Sequence, residues 1–366
     1  MNKKKSAKKG FWQRSTNILL LFTNILCIVL LICSGYAQAI NPHQHHWLVS
    51  LGLFFPFILF LNGIFAVIWF FRKRKFLFFV LSAFVICFIP IRTYIPFNLK
   101  HTVPEGSIHI LSYNVMGYPH TPEGTLHDLL YYIGHSNADI VCTQESNYFT
   151  DNKWSISVDS LNHRWAYRDS IHFGMTNGME ILSNFPILSK QLIKGADAGH
   201  GAMACKIKIG ADTILVINCH FASNGMEPKD KKMFKTLVKE PGNDSTKSAS
   251  TYLIQKIDAA GLRRAQQVDS LVKYLEHVGD IPIILCGDFN DSPLSYTHWE
   301  LTKHLNDAYT RSGNGPGISY HESGMYFRLD NILYSSHWES YQAKVDSHIK
   351  SSDHYPISCW LKLKEK

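Results

Sequence analysis

The sequence predicts an α/β domain of two packed sheets with helices outside, carried behind three membrane-crossing helices. Three observations support that prediction. Residues 1–100 hold 12 Lys or Arg, no Asp or Glu, and three long apolar runs. Beyond residue 107, short strand-like runs outnumber helical ones, the pattern of stacked sheets. Six short polar strings sit at the ends of such runs or inside them, where their side chains can converge on a ligand.

The apolar runs are Asn17–Ile40, Trp47–Phe71 and Phe76–Phe97. The first two are 24 and 25 residues long and free of Asp, Glu, Lys and Arg. About 20 apolar residues cross a bilayer as a helix, so both qualify. Pro90 and Arg92 interrupt the third, but Arg92 lies near its end and can snorkel to the interface. Helices are therefore expected over 17–40, 47–71 and 76–97. Lys3, Lys4, Lys5, Lys8, Lys9 and Arg14 precede the first run, and Arg72–Lys75 separates the second from the third. The linker Asn41–His46 has neither Lys nor Arg. Positive loops stay in the cytoplasm, so the N-terminus is expected there and everything after Phe97 in the periplasm or outside the cell. Ala37-Gln38-Ala39 looks like a signal-peptidase site, yet the apolar stretch before it exceeds the roughly 7–15 residues of a signal peptide. Cleavage there would leave two crossings and the same exported domain.

Residues 1–100 then form a membrane anchor and 101–366 one domain, large enough for its own core. The net charge of +8 belongs to the anchor, because 101–366 carries 25 basic and 29 acidic residues, a net of −4. A general nucleic-acid binder usually shows a basic face, so nucleic acid is not the favoured partner. Cys27, Cys33 and Cys87 lie in apolar runs, and Cys142, Cys205, Cys219, Cys286 and Cys359 in strand-like segments. None shows CxxC spacing, so they read as small buried hydrophobes and not as a zinc site.

Ile108–Val115 reads as a strand. Gly124–Ser136 reads as a helix, with Leu126, Leu129, Leu130 and Ile133 on one side. Ala138–Gln144, Gly178–Asn184, Ala202–Ile209 and Thr213–Phe221 read as strands, the later ones separated by Pro, Gly and Asp turns. Ile257–His277 is helical, with Leu262, Val268, Leu271, Val272 and Leu275 near a helical period. Pro282–Cys286, Phe327–Tyr334 and Tyr355–Leu363 are the late strands.

The polar strings are SYN at Ser112–Asn114, TQES at Thr143–Ser146, NCHF at Asn218–Phe221, GDFND at Gly287–Asp291, RLDN at Arg328–Asn331 and SDHYP at Ser352–Pro356. Together they offer Asn114, Glu145, His220, Asp288, Asn290, Asp330, Asp353 and His354. Such an oxygen-rich set suits a hard divalent cation, and the histidines suit proton transfer and phosphate binding. Asp288 and Asn290 are two apart, so on an extended backbone both point to the same side. A carboxylate there can take a proton from water while the amide donates to a phosphate oxygen.

In order and wording these strings resemble the endonuclease/exonuclease/phosphatase superfamily, from Ile108 to Leu363. The resemblance implies a four-layered α/β sandwich that hydrolyses phosphoesters with Mg2+ or Mn2+. It implies that Glu145 is the principal metal ligand, with Asn114 and Asp353 beside it. It makes Asp288 the group that positions or activates water, and gives Asn114, Asn290, His220 and His354 to the phosphate. His354 also does acid–base work, His220 supports it, and Asp330 fixes the His354 imidazole, which gains a defined tautomer and a raised pKa. One departure is Met116, where DNA-repair members carry an acid, and this favours a one-ion site.

The 67 residues between His220 and Asp288 include Lys229, Lys231, Lys232, Lys235 and Lys239, the polar run Gly242–Ser250, and Arg263–Arg264. They form either a solvated surface insertion or a lid whose cations grip an anionic head group. The function expected is a membrane-anchored, metal-dependent phosphoesterase on a lipid-linked or small substrate. The alternatives are an extracytoplasmic nuclease and a non-catalytic sensor of a phosphorylated ligand.

Overall fold

The computed structural model describes residues 2–117, 123–146, 164–173, 177–197, 199–240, 244–322 and 324–365. The side chains of Lys3–Lys9 and Leu126, and residues 242–243 of the polar run, lie outside the described residues. The chain begins with α1 (Asn2–Tyr36), which continues without a break from the basic segment into the first apolar run. The short α2 (Pro42–His45) is capped by Asn41, whose side chain accepts from His43 N. A 3-10 helix, His46–Phe54, leads into α3 (Phe55–Arg72). Two helical stretches, the 28 residues of Trp12–Ala39 and the 31 of Pro42–Arg72, are long and apolar enough to cross a membrane.

The third apolar run is not one straight helix, and it makes a third crossing when its bent pair of helices is taken as one span. It forms α4 (Arg74–Ile86) and α5 (Phe88–Tyr94), bent by 64°. Pro90 is the physical cause, because it has no N–H to donate to the carbonyl of Ile86. The Tyr36 hydroxyl donates to that freed carbonyl at 2.6 Å. Polar side chains fasten α1 to α3: Trp69 Nε1 donates to Asn24 Oδ1 at 2.9 Å, and Arg72 Nε to Asn17 Oδ1 at 2.6 Å. Ala37-Gln38-Ala39 forms a 3-10 turn in which Ala37 and Gln38 are buried, so this tripeptide is not an open, extended cleavage site.

The rest of the chain forms two six-stranded mixed sheets. The first has the order β11 (Trp338–Val345), β12 (Ile357–Leu363), β1 (Ile108–Asn114), β2 (Ile140–Gln144), β4 (Asn177–Ser183), β3 (Tyr167–Phe173). The second has the order β5 (Ile187–Asp197), β6 (His200–Ile209), β7 (Asp212–His220), β8 (Ile283–Asp288), β10 (Asp330–Tyr334), β9 (Asn306–Asp307). The β1–β2 and β7–β8 pairs are parallel and the other pairs antiparallel. Alternate residues of each strand serve two cores. Ile110, Cys142, Ile181 and Cys359 meet Cys205, Val216, Ile284 and Ile332 between the sheets. Leu111, Val141 and Leu182 turn outward under α6 (Glu123–His135), which supplies Leu129 and Ile133. On the far side Leu215, Ile217, Leu285 and Leu333 lie under α8 (Asp244–His277), through Val268, Leu271 and Leu275. Helix, sheet, sheet and helix make the four layers. Truncating one of these fully buried isoleucines to Ala is expected to cost about 2–5 kcal/mol. The five cysteines of this part are all buried, four between the sheets and Cys219 under α8.

Several elements exceed the sequence expectation. The insertion folds as α7 (Pro228–Lys239) followed by α8, which starts at Asp244 and not near Ile257. Two short helices, α9 (Tyr296–Thr302) and α10 (Ala308–Ser312), complete the second sheet's side. The two parts of the chain are joined by more than the linker. Leu294 packs among Leu31, Phe55, Ala83, Cys87 and Tyr94. Ser50 N donates to Asp258 Oδ1 at 3.1 Å, and a Cβ at Gly261 would collide with Val49, so α8 must carry a glycine at that contact.

Candidate active site

All six polar strings meet at one edge of the paired sheets. Asn114 ends β1 opposite Gln144 of its parallel neighbour β2, which brings Glu145 alongside. In the second sheet His220 lies opposite Asp288, and Asp288 opposite Asp330. Three adjacent strands thus present a histidine and two carboxylates in one row. The sheets pack face to face, so this row confronts Asn114 and Glu145. The Asn114 amide spans the gap, with Nδ2 3.1 Å from both Glu145 Oε1 and Asp288 Oδ2. Its Oδ1 accepts from Met116 N at 3.0 Å, which fixes the amide's orientation.

The backbone is unusual here. Gly287 has φ 147, and a Cβ there would strike the Cys219 carbonyl, so only glycine lets β8 close on β7. Of the five described non-glycine residues with positive φ, three, Met116, Glu145 and Asn290 at 50, 55 and 50°, lie at this site, while Asn137 and Gln342 lie elsewhere. Such strained conformations collect where a site needs a side chain aimed against local preference. Asn290 corrects one expectation: the strand ends at Asp288, and the left-handed turn sends the Asn290 Nδ2 to the Phe221 carbonyl at 2.9 Å. Its backbone N–H, not its side chain, faces Asp288, at 2.8 Å from Oδ1.

The electrostatics centre on His354. Its Nδ1 lies 2.7 Å from Asp330 Oδ2, and its Nε2 lies 3.7 Å from Asp288 Oδ2. Burial pulls the imidazole pKa down, but Asp330 and Asp288 together hold it well above its ordinary value. Burial pushes the Asp288 carboxyl up, yet His354, His220, the Asn290 N–H and Asn114 outweigh it and leave it lowered. Asp330 stays raised, because burial dominates over its imidazole partner. His220 Nε2 is 3.7 Å from Glu145 Oε1 and 3.8 Å from Asp288 Oδ2. Both ring nitrogens of this buried histidine lack a hydrogen-bond partner among the described residues. Asp353 is half-buried beside this group, and burial pushes its carboxyl up, opposed by His354 and reinforced by Glu145.

The family model for the Endonuclease/Exonuclease/phosphatase family matches residues 111–354, about two thirds of the chain. The chain belongs to this family. A second model, described as a domain of unknown function (DUF8431), matches residues 17–94. Similar solved structures include the human Nocturnin catalytic domain with bound sulfate, 17% identical, covering 73% of this chain and 96% of that one at a TM-score of 0.50. Another is ANGEL2, a 2',3'-cyclic phosphatase in complex with adenosine-2',3'-vanadate, 16% identical, covering 74% and 100% at a TM-score of 0.51. At these identities the likeness is one of fold. A search of curated proteins finds no match.

Endonuclease/exonuclease/phosphatase members hydrolyse phosphoester bonds, and the donor set here fits a divalent cation. Asp288, Asp330 and His354 place ligand-type atoms within 4.8 Å of one another, all buried. That trio is closed by its own short hydrogen bond, so a cation would have to displace the imidazole proton. Glu145 is the more open carboxylate, with about a third of its side chain exposed and the orphaned His220 nitrogens and Asp353 nearby. Carboxylate oxygens of this kind are the ligands a hard divalent ion takes, whereas Asn114 presents its Nδ2 to Glu145 and would have to turn its amide to offer an oxygen.

Other groups in this family domain were not marked by the strings. Ser319 Oγ accepts from Leu329 N and Asp330 N at 3.0 Å each, and so fixes the start of β10. Glu180 is buried in mid-strand with its carboxyl pushed up to about 8 by burial, which exceeds the pull of Arg168 2.5 Å away. A lone acid inside the apolar run Gly178–Asn184 was the available signal; Ser319 offered none. Arg264 is not a head-group ligand. It is buried, with Nε 3.0 Å from Asp291 Oδ2 and Nη1 on the Ala222 carbonyl at 3.0 Å and Asn224 Oδ1 at 2.9 Å. Of the insertion's cations, Lys231 reaches the rim and pairs with Glu322.

Proposed function

We propose that this chain is a membrane-anchored, divalent-metal-dependent phosphoesterase, with residues 1–100 as anchor and 101–366 as a catalytic domain on the outer side of the membrane. The observation that carries the reading is Asp288. It is buried and held ionised between two imidazoles, an amide and a backbone N–H. Such a carboxylate is an acceptor for the proton of an attacking water. His354, kept cationic by Asp330, and His220, whose ring nitrogens have no hydrogen-bond partner among the described residues, stabilise the added negative charge on phosphorus together with Asn114, while Asn290 acts through its backbone N–H on Asp288. Glu145, Asn114 and Asp353 would hold Mg2+ or Mn2+, whose charge would polarise a phosphoryl oxygen when bound.

The junction supports a lipid-linked or small substrate. Leu294, four residues past Asn290, is packed among the apolar helices. Four residues span at most about 14 Å, so the site-bearing loop lies next to the anchor. A substrate held in the bilayer meets such a site at high effective concentration, whereas the domain's net charge of −4 opposes DNA. The test uses the full chain in detergent. It should hydrolyse bis-p-nitrophenyl phosphate and a lipid or sugar phosphoester, lose turnover in EDTA and regain it with Mg2+ or Mn2+. Plasmid degradation without small-ester turnover would make it a nuclease, and ligand binding with no turnover a sensor. A C-terminal alkaline phosphatase fusion should be active; an active cytoplasmic reporter at the same place would reverse the topology.

A further inference from the structure

A groove lies between α5 and the α9–α10 side of the catalytic domain, around a cavity of about 370 Å³. Arg92 lines one wall, Trp299 and Arg311 the other, and Phe88 and Ile89 stand exposed at its edge. The apolar edge continues into the linker. There Ile95, Phe97 and Leu99 are exposed, the last two at 77% and 75%, while Pro96 between them is buried and Asn98 half-buried. That alternation is the period of an extended chain. The linker cannot rotate to hide these side chains, because its backbone is pinned. Gly315 N donates to the Pro96 carbonyl at 2.9 Å, Asn98 N to Asn314 Oδ1 at 2.7 Å, and Asn98 Nδ2 to the Gly313 carbonyl at 2.6 Å.

Charge stands directly beside this ridge. Arg92 is fixed by Nη1 on the Phe97 carbonyl at 2.8 Å and Nη2 on Asn98 Oδ1 at 2.7 Å. Arg311 is exposed, with one side-chain hydrogen bond among the described residues, Nη2 to Asn306 Oδ1 at 3.3 Å. It also lines the adjoining cavity of about 540 Å³ with Lys100 and Lys344, and no Asp or Glu is among that cavity's lining residues. The acid in the smaller cavity, Asp307, is occupied by Thr310, His298 and the first N–H groups of α10. The groove therefore sets a surplus of positive charge against a fixed apolar edge, where the last membrane run gives way to the catalytic domain.

We propose that this groove binds an anionic glycerophospholipid, with its phosphate between Arg311 and Arg92 and its acyl chains along Phe88, Ile89 and Phe97. None of the residues assigned to phosphoester chemistry lines it, and the inference rests on the membrane-crossing reading of residues 1–100. Recovery of the chain in the membrane fraction checks that reading separately.

The test is native mass spectrometry of the full chain in mild detergent, supplied with phosphatidylglycerol or phosphatidylcholine of matched acyl chains. Basic side chains near a lipid surface each add modestly to the binding of anionic lipid, so phosphatidylglycerol should be retained about tenfold more than phosphatidylcholine. Arg311→Gln should remove most of that preference, and Phe97→Ser should lower retention of both lipids. Excess inorganic phosphate should not displace phosphatidylglycerol. Equal retention of the two lipids by the wild type would overturn the proposal without recourse to any variant. An unchanged preference in Arg311→Gln would also overturn it, and displacement by phosphate would make the groove a site for soluble anions.

Discussion

Among the described residues two hydrogen-bonded histidine–aspartate pairs lie buried on the second sheet's side, and they differ in what surrounds them. His354 Nδ1 and Asp330 Oδ2 are 2.7 Å apart; His298 Nε2 and Asp307 Oδ2 are 3.2 Å apart. The far nitrogen of His354 faces a second carboxylate, Asp288, across a gap at the sheet edge. Asp307 instead meets Arg328 at 3.8 Å, accepts from Thr310 Oγ1 at 2.6 Å, and caps α10 through Tyr309 N and Thr310 N. The acids shift in opposite directions accordingly. Burial pushes both up, but His298 and Arg328 drive Asp307 well below the usual carboxylate range, while Asp330 stays raised. The same two residue types thus meet a surplus of negative charge at one place and a balance of charge at the other, and the reactive role proposed for the first pair rests on that difference. Arg328, two residues before Asp330, also donates to the Thr93 carbonyl at 2.6 Å, so the structural pair sits on the connection to the helical segment.

This contrast can be broken by substitution, beginning with the largest effect. Asp288→Ala should lower turnover about a hundredfold or more, the range for losing an acid–base or charge-stabilising group, with the unfolding temperature little changed. Near wild-type turnover in a folded Asp288→Ala would remove Asp288 from the mechanism. Asp330→Asn leaves the imidazole in place but without its anionic partner, and should cost about tenfold to a hundredfold in kcat. Asp307→Asn should behave in the opposite way. Unfolding by denaturant should show a loss of about 3 kcal/mol, as for a broken buried ion pair, with kcat per folded molecule nearly intact.

The smallest effect is in the pH dependence of stability. The folded Asp307 pKa lies below its unfolded value of about 3.9, so its contribution is present in full above that value. It is lost as pH falls through the folded pKa. The stability gap between wild type and Asp307→Asn should be constant near neutrality and shrink below about pH 4. A gap that stayed constant into strong acid would show that Asp307 is not held ionised by its partners.

Much of this was legible in the sequence because strand-end chemistry depends on local order. Asn114, Glu145, His220, Asp288, Asp330 and His354 each follow or begin a strand-like run, and the fold needs only to pack the two sheets to bring them together. The pairing of Asp288 with Asn290 was not legible as drawn. The Asn290 turn is left-handed, and its amide is claimed by Phe221, 69 positions away in sequence. The edge strands β3 and β11 escaped notice because their mixed exposure gives no apolar run. The early start of α8 lies in a polar stretch with no apolar period, and its tie to α7, Lys256 Nζ donating to Asp230 Oδ2 at 2.6 Å, joins residues 26 positions apart. Pro90 was visible, but the outcome of its break, a 64° bend with Tyr36 taking the Ile86 carbonyl, depends on a residue 50 positions earlier. Arg264 read as a free cation because nothing local reveals its buried partner Asp291.

The central claim is that surroundings, not residue type, divide these two pairs, and a single parallel measurement tests it. Turnover of bis-p-nitrophenyl phosphate with Mg2+ or Mn2+ would be measured for the full-length wild type, His354→Ala and His298→Ala, with unfolding temperatures recorded on the same samples. The account predicts that His354→Ala loses about a hundredfold or more in turnover while unfolding near the wild-type temperature. It predicts that His298→Ala unfolds earlier yet keeps most of its turnover below that temperature. Comparable losses of turnover in the two variants, or the larger loss in His298→Ala, would contradict it.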